Sequence, residues 1–371
     1  MRNPRRTLLT LAAALLGAPS AWASAAGPEI RIGASAALSG PAAGLGQRFH
    51  AGAGAYFNQL NAQGGIGGAR VVVDLLDDAY ESDKADLNTR KLVEDPRVLA
   101  LFGYVGTPTS NMALPYVKRW SIPFVGAYTG ADVLRSPYRP LVFNVRASYR
   151  EEAQQLAVAM KIAGIHTLNV FYQADLFGRA GLEAMRAVAG AQGLQILATD
   201  TVKRNTAEVA EAVEALVQAS PADAIFMVST YASSAAFVRQ ARAKGFRGRF
   251  YALSFAGMEQ LRHALGKPLA KGLTVAQVVP DPEDRALPVV AEYQQAMREA
   301  GDRQFDSISL EGYLAAKVMA EGLRRAKAPL TRESLAQGLE SVGQLDLGGF
   351  HVHFGPGQRN GSSLVELRVL P

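Results

Sequence analysis

The chain has 371 residues, 49% of them hydrophobic and 19% charged, with no cysteine and a formal net charge of +6. That length allows two hydrophobic cores, and the composition excludes a disordered tail or a coiled-coil rod. Without cysteine there are no disulfides, thiolate zinc sites or thiol nucleophile.

The first segment reads as a leader rather than as structure. MRNPRR carries three arginines and no acid, TLLTLAAALLGA is apolar, and AWASAA ends in small residues. This is the pattern of a secretory signal peptide over residues 1–26, cleaved between Ala23 and Ala26. The apolar run of about a dozen residues is shorter than the roughly 20 a spanning helix needs. With no cysteine there is no lipid attachment point at a mature cysteine. Removing the leader takes three of the six excess charges, so the basic balance gives no argument for nucleic acid. The pairs Lys203-Arg204 and Arg324-Arg325 read as solvated helix faces or turns.

Two series of alternating strand and helix signals follow, the pattern of parallel sheets with covering helices. In the first, strand 29–38 precedes helix GQRFHAGAGAYFNQLNA, strand 69–78 precedes SDKADLNTRKLVED, VLALFGY precedes TSNMALPYVKRW, and IPFVGAY (122–128) is a further short strand. The second starts near Ser148, with strands at 167–173, QILATDTV, 223–229 and 249–255 between apolar helices. The strands of the first series lack strict alternation, as buried parallel strands do. Asn205-Thr206 followed by Glu208 and Glu211 reads as a helix cap. After Thr274 come an irregular link, the helices AEYQQAMREAG and SISLEGYLAAKVMAEGLRRA, a capping box at Thr331–Ser334 and a tail, GGFHVHFGPGQRNGSSLVELRVL, that reads as a hairpin.

Catalytic and cofactor signatures are missing. Gly40–Gly46 and Gly103–Thr107 have neither dinucleotide spacing nor a Walker lysine, and GxSxG and HExxH do not occur, so no cofactor or metal is implied. His351 and His353 share a strand face without a third ligand, and Asp77-Asp78 reads as a pair of strand-end hydrogen-bond acceptors. The informative feature is small and hydroxyl-bearing residues just past the C-terminal ends of strands, at 103–110 and 126–130. In an open parallel sheet ligands collect at that edge, where helix N-termini and free amides face the solute. Each loop taken alone is as consistent with an ordinary connection; together they point to ligand binding.

Residues 38–85, LSGPAAGLGQRFHAGAGAYFNQLNAQGGIGGARVVVDLLDDAYESDKA, resemble the periplasmic leucine/isoleucine/valine-binding family, the type I solute receptors of ABC importers. The likeness continues through GYVGTPTS, NVRASYREEAQQLA and FVRQARAKGF to the end of the chain. It implies an α/β fold of two Rossmann-like lobes with parallel sheets, joined by three crossings and closing over a solute by hinge bending. The implied division is 27–146 plus 277–350 for lobe 1 and 147–276 plus 351–371 for lobe 2.

The resemblance also implies a site. Thr107 falls where the family binds the ligand carboxylate, Tyr128 and Gly130 at neighbouring loop contacts, and Leu45 where an aromatic lines the pocket. In lobe 2, Phe177 and Tyr231 match ligand-facing aromatics, and Tyr104 joins the aromatic set. Three departures stand out. Tyr80 and Gly106 replace a disulfide found in some members, which leaves the loop before Thr107 freer. Leu45 removes an aromatic wall. The family's glutamate for the ligand ammonium falls on Ser254, with no acid between Phe246 and Met258, although a carboxylate from elsewhere in the chain can substitute. An unpaired buried ammonium costs several kcal/mol, so the expected solute is a small organic carboxylate, aromatic ones included, with an amino acid as the alternative. The expected protein is a monomeric periplasmic receptor that hands its solute to an inner-membrane ABC permease. A ligand sensor for a membrane partner and an enzyme with a non-sequential site are the rival classes.

Overall fold

A computed structural model of the chain describes residues 27–371; the leader expected over 1–26 lies outside them. The first sheet has the order β2-β1-β3-β4-β5 and is parallel throughout, formed by β1 (Glu29–Ala36), β2 (Arg70–Asp77), β3 (Val98–Phe102), β4 (Phe124–Val125) and β5 (Val142–Phe143). Its helices are α1 (Ala43–Ala62), α2 (Ser82–Glu94) and α3 (Thr107–Trp120). The buried stripe Leu45, Phe49, Ala53, Phe57 and Leu60 turns α1 toward the core.

After β5 the chain crosses to α4 (Tyr149–Ile162), which starts at a capping box in which Ser148 accepts from the amide of Glu151. The second half continues with β6 (Thr167–Gln173), α5 (Leu176–Ala189), β7 (Gln195–Val202), α6 (Ala210–Val213), β8 (Ala224–Val228), α7 (Tyr231–Ala243), β9 (Arg249–Ala252), α8 (Met258–Leu265), α9 (Lys267–Ala270) and β10 (Thr274–Gln277). The sheet order is β13-β10-β9-β8-β6-β7, where the last strand, β13 (Glu366–Val369), is antiparallel to β10. The structure is thus the bilobal α/β architecture with parallel sheets.

Between β10 and β13 the chain returns to the first lobe through α10 (Pro288–Glu299), α11 (Ser307–Arg325) and α12 (Arg332–Glu340). The contact between α1 and α11 is very close: a Cβ on Gly52 would stand 1.7 Å from the Ser309 carbonyl oxygen, and one on Gly312 would stand 1.9 Å from that of Phe49. Only glycine permits this backbone approach.

Two local expectations change. The tail is not one hairpin: β11 (Gly343–Asp346) pairs with β12 (His351–Phe354), while β13 joins the second sheet. Phe354 meets Phe143 edge-on at 5.3 Å, and Arg359 Nε donates to the Pro140 carbonyl at 2.6 Å. The stretch 351–361 therefore lies on the first sheet's edge, and the last crossing comes later than the division at 350. Asn205-Thr206 does not cap a helix, since α6 begins at Ala210 and Asn205 reaches the other lobe instead.

Candidate functional site

The C-terminal ends of the two sheets face each other, and the candidate residues other than Tyr104 lie along the seam between them. Gly106, with φ +100°, turns the chain into α3, so Thr107 starts the helix with its amide toward the seam. Its hydroxyl lies 2.7 Å from that of Thr129, which donates to the Tyr149 hydroxyl at 3.1 Å. Among the described residues, the amides of Thr107 and Gly130 donate to no protein acceptor. Two free amides and three linked hydroxyls at a helix N-terminus make a neutral cradle with a positive potential, suited to a carboxylate. Gly130 is needed for closeness: a Cβ there would meet Tyr149 Cδ1 at 2.5 Å.

Above this cradle lies an aromatic set drawn from both lobes. Tyr128 and Phe255 rings are 5.3 Å apart, Phe177 and Phe255 4.4 Å, Tyr149 and Phe177 5.6 Å, and Tyr80 and Phe255 6.1 Å. All five rings are buried. Tyr128 spans the seam, its hydroxyl donating to the Ser254 carbonyl at 3.3 Å. Tyr231 spans it elsewhere, accepting from the Gly44 amide at 3.3 Å. A groove of about 540 Å³ opens there, lined from both lobes by Gly44, Arg48, Tyr231, Gln260 and Phe305. A wider depression of about 760 Å³ lies against β11 and β12 and takes none of these side chains. Leu45 is buried at the same rim, where a Cβ on Gly257 of the second lobe would lie 3.3 Å from its Cδ2.

Tyr104 stands apart from the set. It packs edge-on against Phe124 at 5.1 Å in the cluster under α2 and α3, with its hydroxyl 3.0 Å from that of Thr89. Its alternation in the chain sends it to the face of the sheet opposite Tyr128, so it is a core side chain and not part of the aromatic wall. The Tyr80–Gly106 pair also differs from expectation. The Tyr80 ring lies where a Cβ on Gly106 would come, 2.2 Å from its Cε2. The ring thus covers the loop before Thr107, which is packed rather than free.

Ser254 is not alone. Its amide donates to Glu152 Oε2 at 2.8 Å and its hydroxyl to Glu152 Oε1 at 3.0 Å. The first turn of α4 thus brings a carboxylate to the position where the local sequence lacks one. Arg146 Nη2 donates to Glu152 at 3.1 Å and to the Ser254 hydroxyl, and Arg146 Nη1 lies 3.5 Å from Glu311. The guanidinium stacks over Tyr128, 4.9 Å from its centroid. Burial raises the Glu311 carboxyl to about 7 against the opposing pull of Arg146, and burial likewise raises Glu152. Arg146 itself is held charged because the two glutamates outweigh its desolvation. Arg135, half-buried, gives its guanidinium to the carbonyls of Thr129, Ala131 and Arg146, bracing the 129–131 turn.

Arg146, Tyr149 and Glu152 all sit within NVRASYREEAQQLA, so the signal was present in the sequence. What it lacked was a partner, because Ser254 and Glu311 lie 102 and 159 positions from Glu152 along the chain. The aspartates behave as expected: Asp77 accepts from the amides of Leu38, Ser39 and Ala79, and Asp78 from the Ser35 hydroxyl and Tyr80 amide. Among the described residues no group of three or more potential ligating side chains could hold a metal.

A bilobal α/β fold with a polar cradle in the seam defines a solute-binding protein. Residues 29–364 match the periplasmic binding protein family, and the chain belongs to it. It is 34% identical to a structure described as a possible leucine/isoleucine/valine-binding protein from Rhodopirellula baltica, over 92% of this chain and 94% of that one, with a TM-score of 0.88. A substrate-binding periplasmic protein from Ralstonia solanacearum is 33% identical over 92% and 97% of the two chains, with a TM-score of 0.87. Leu/Ile/Val-binding protein homolog 7 of Brucella abortus is 23% identical, covering 86% of this chain and 82% of its own. The protein is a periplasmic solute-binding protein, non-catalytic like its family.

Proposed function

We propose that the seam binds an α-amino acid. Its carboxylate sits on the Thr107 hydroxyl and the amides of Thr107 and Gly130, its ammonium faces Glu152, and its side chain lies against the aromatic set of Tyr80, Tyr128, Tyr149, Phe177 and Phe255. Tyr231 and Leu45 close the rim. The observation that carries this reading is the pair of hydrogen bonds from Ser254 to Glu152, which supplies an acid where YALSFAG has none. The names of the Rhodopirellula and Brucella relatives support it.

A second reading, a small organic carboxylate without an amine, rests on a different observation. Glu152 is already paired with Arg146 at 3.1 Å, so its charge does not require a cationic ligand.

Calorimetry on matched pairs that share a carbon skeleton and differ only in the α-amine separates the two. A hydrogen bond to a charged group is worth about 1.5–3 kcal/mol, so the amino acid should bind roughly tenfold to a hundredfold more tightly than its deaminated analogue. Glu152→Gln should shrink that ratio. Equal affinity within the pairs, or tighter binding of the deaminated compound, overturns the amino-acid reading in favour of the carboxylate.

A further inference from the structure

Tyr80 occupies an unusual position. It closes the loop after β2 with φ +62°, directly after Ala79 with φ +50°, so two consecutive non-glycine residues adopt the left-handed conformation. Such a conformation persists only where surrounding contacts impose it. Here they come largely from the other lobe. Arg204 Nη1 donates to the Tyr80 carbonyl at 3.2 Å and to the Ser82 hydroxyl at 3.0 Å. Asn205, itself at φ +59°, donates to the Ala79 carbonyl at 3.1 Å and to Glu81 at 2.7 Å. Gln173 Nε2 donates to the Tyr80 hydroxyl at 3.2 Å and to Asp175 at 2.6 Å, and the Asp175 carboxylate lies 3.5 Å from Arg204 Nε.

The result is a fully buried phenol fixed at its backbone, its hydroxyl and its face. One side of the ring lies on Gly106, the residue before Thr107, and the other approaches Phe255, the residue after Ser254. The ring therefore bridges the neighbours of Thr107 and of Ser254, the residue that donates to Glu152. It stands where a solute body leaving the Thr107 cradle in that direction must stop.

We infer that Tyr80 is the specificity-determining residue that sets the size of the solute body, and that the Arg204–Asn205 clasp holds the two lobes in the closed form without itself setting that size. The inference rests on the Thr107 cradle of the reading above but not on the solute's amine. A side-chain wall acts differently from a clasp. Removing the wall changes which solute is preferred, whereas weakening the clasp lowers affinity for every solute alike, because the clasp touches none of them.

The test is calorimetry with wild type, Tyr80→Ala, Tyr80→Leu, Tyr80→Phe and Arg204→Ala against a graded series, alanine through valine, leucine and phenylalanine to tryptophan. The same variants are titrated with straight-chain carboxylates from propionate to octanoate. Failure of the amino-acid reading then appears as binding in the second series only, and leaves the size test intact. Tyr80→Ala should move the preference toward larger bodies by about tenfold or more in the large-to-small affinity ratio, as hydrophobic pockets discriminate on this scale. Tyr80→Leu should fall between Ala and wild type, and it keeps the test alive if the Ala variant does not fold. Tyr80→Phe should keep the wild-type ratio. Arg204→Ala should weaken all solutes by one common factor. A ratio unchanged in both Tyr80→Ala and Tyr80→Leu, or a ratio shifted by Arg204→Ala, overturns the inference.

Discussion

Replacing Glu311 with glutamine tests the buried charge cluster at the floor of the seam. Glu311 is buried with Arg146 and Glu152, and its carboxyl is pushed up to about 7 chiefly by burial. Because the folded-state value lies above the ordinary 4.5, the stability this group contributes is fully present below 4.5 and is lost as pH rises through 7. Complete ionisation of a carboxyl so displaced corresponds to an effect on the order of 1–3 kcal/mol after local relaxation. Glutamine keeps the shape and never ionises, while Arg146 retains Glu152 as its counter-charge. Urea melts at pH 5 and pH 8.5 should therefore show near-equal stability at the lower pH. At the higher pH the Glu311→Gln variant should be more stable by about 1–3 kcal/mol. A difference of the same size and sign at both pH values would refute the reasoning, because it would mean that packing, not ionisation, sets the effect.

Thr107→Ala should weaken solute binding by about 1–3 kcal/mol in calorimetry, from the loss of a buried hydrogen bond, with the melting temperature little changed; unchanged affinity would remove Thr107 from the site. His50 is half-buried, with Nε2 3.1 Å from the Gly103 carbonyl, and desolvation of the ring lowers its pKa to about 4. Its stabilising contribution is present above 6.5 and is lost as pH falls toward 4, so His50→Gln should flatten the acid limb of stability between those values; an unaltered limb would count against it. Gly52→Ala and Gly312→Ala should each cost about 3 kcal/mol or more in chemical denaturation, since each new Cβ meets a carbonyl oxygen of the facing helix.

The lobes were legible in the sequence because buried parallel strands and amphipathic helices leave strong local patterns. The run VLALF and the α1 stripe are examples, and the Thr331 capping box appears with Thr331 accepting from the Ser334 amide. The Gly103–Ser110 and Gly126–Gly130 loops also stood out, because small residues after a strand mark a ligand edge. Tyr104 and Tyr128 look alike in sequence, yet strand alternation and sheet position send one to the core and the other to the seam. Glu152 was missed because its meaning depends on Ser254, a contact made across the chain by α4 and the turn after β9. Asn205 was misread for the same reason: a cap and a lobe-to-lobe clasp use the same side-chain amide, and only the fold decides between them.

The most direct measurement is a crystal structure of the protein with solute retained from the cells that produced it. The account predicts a carboxylate within hydrogen-bonding distance of the Thr107 hydroxyl and the Gly130 amide, an amine facing Glu152, and the solute body ending against Tyr80. A solute lodged outside the seam, or one whose carboxylate faces Arg146 with the Thr107 amide unused, would contradict it.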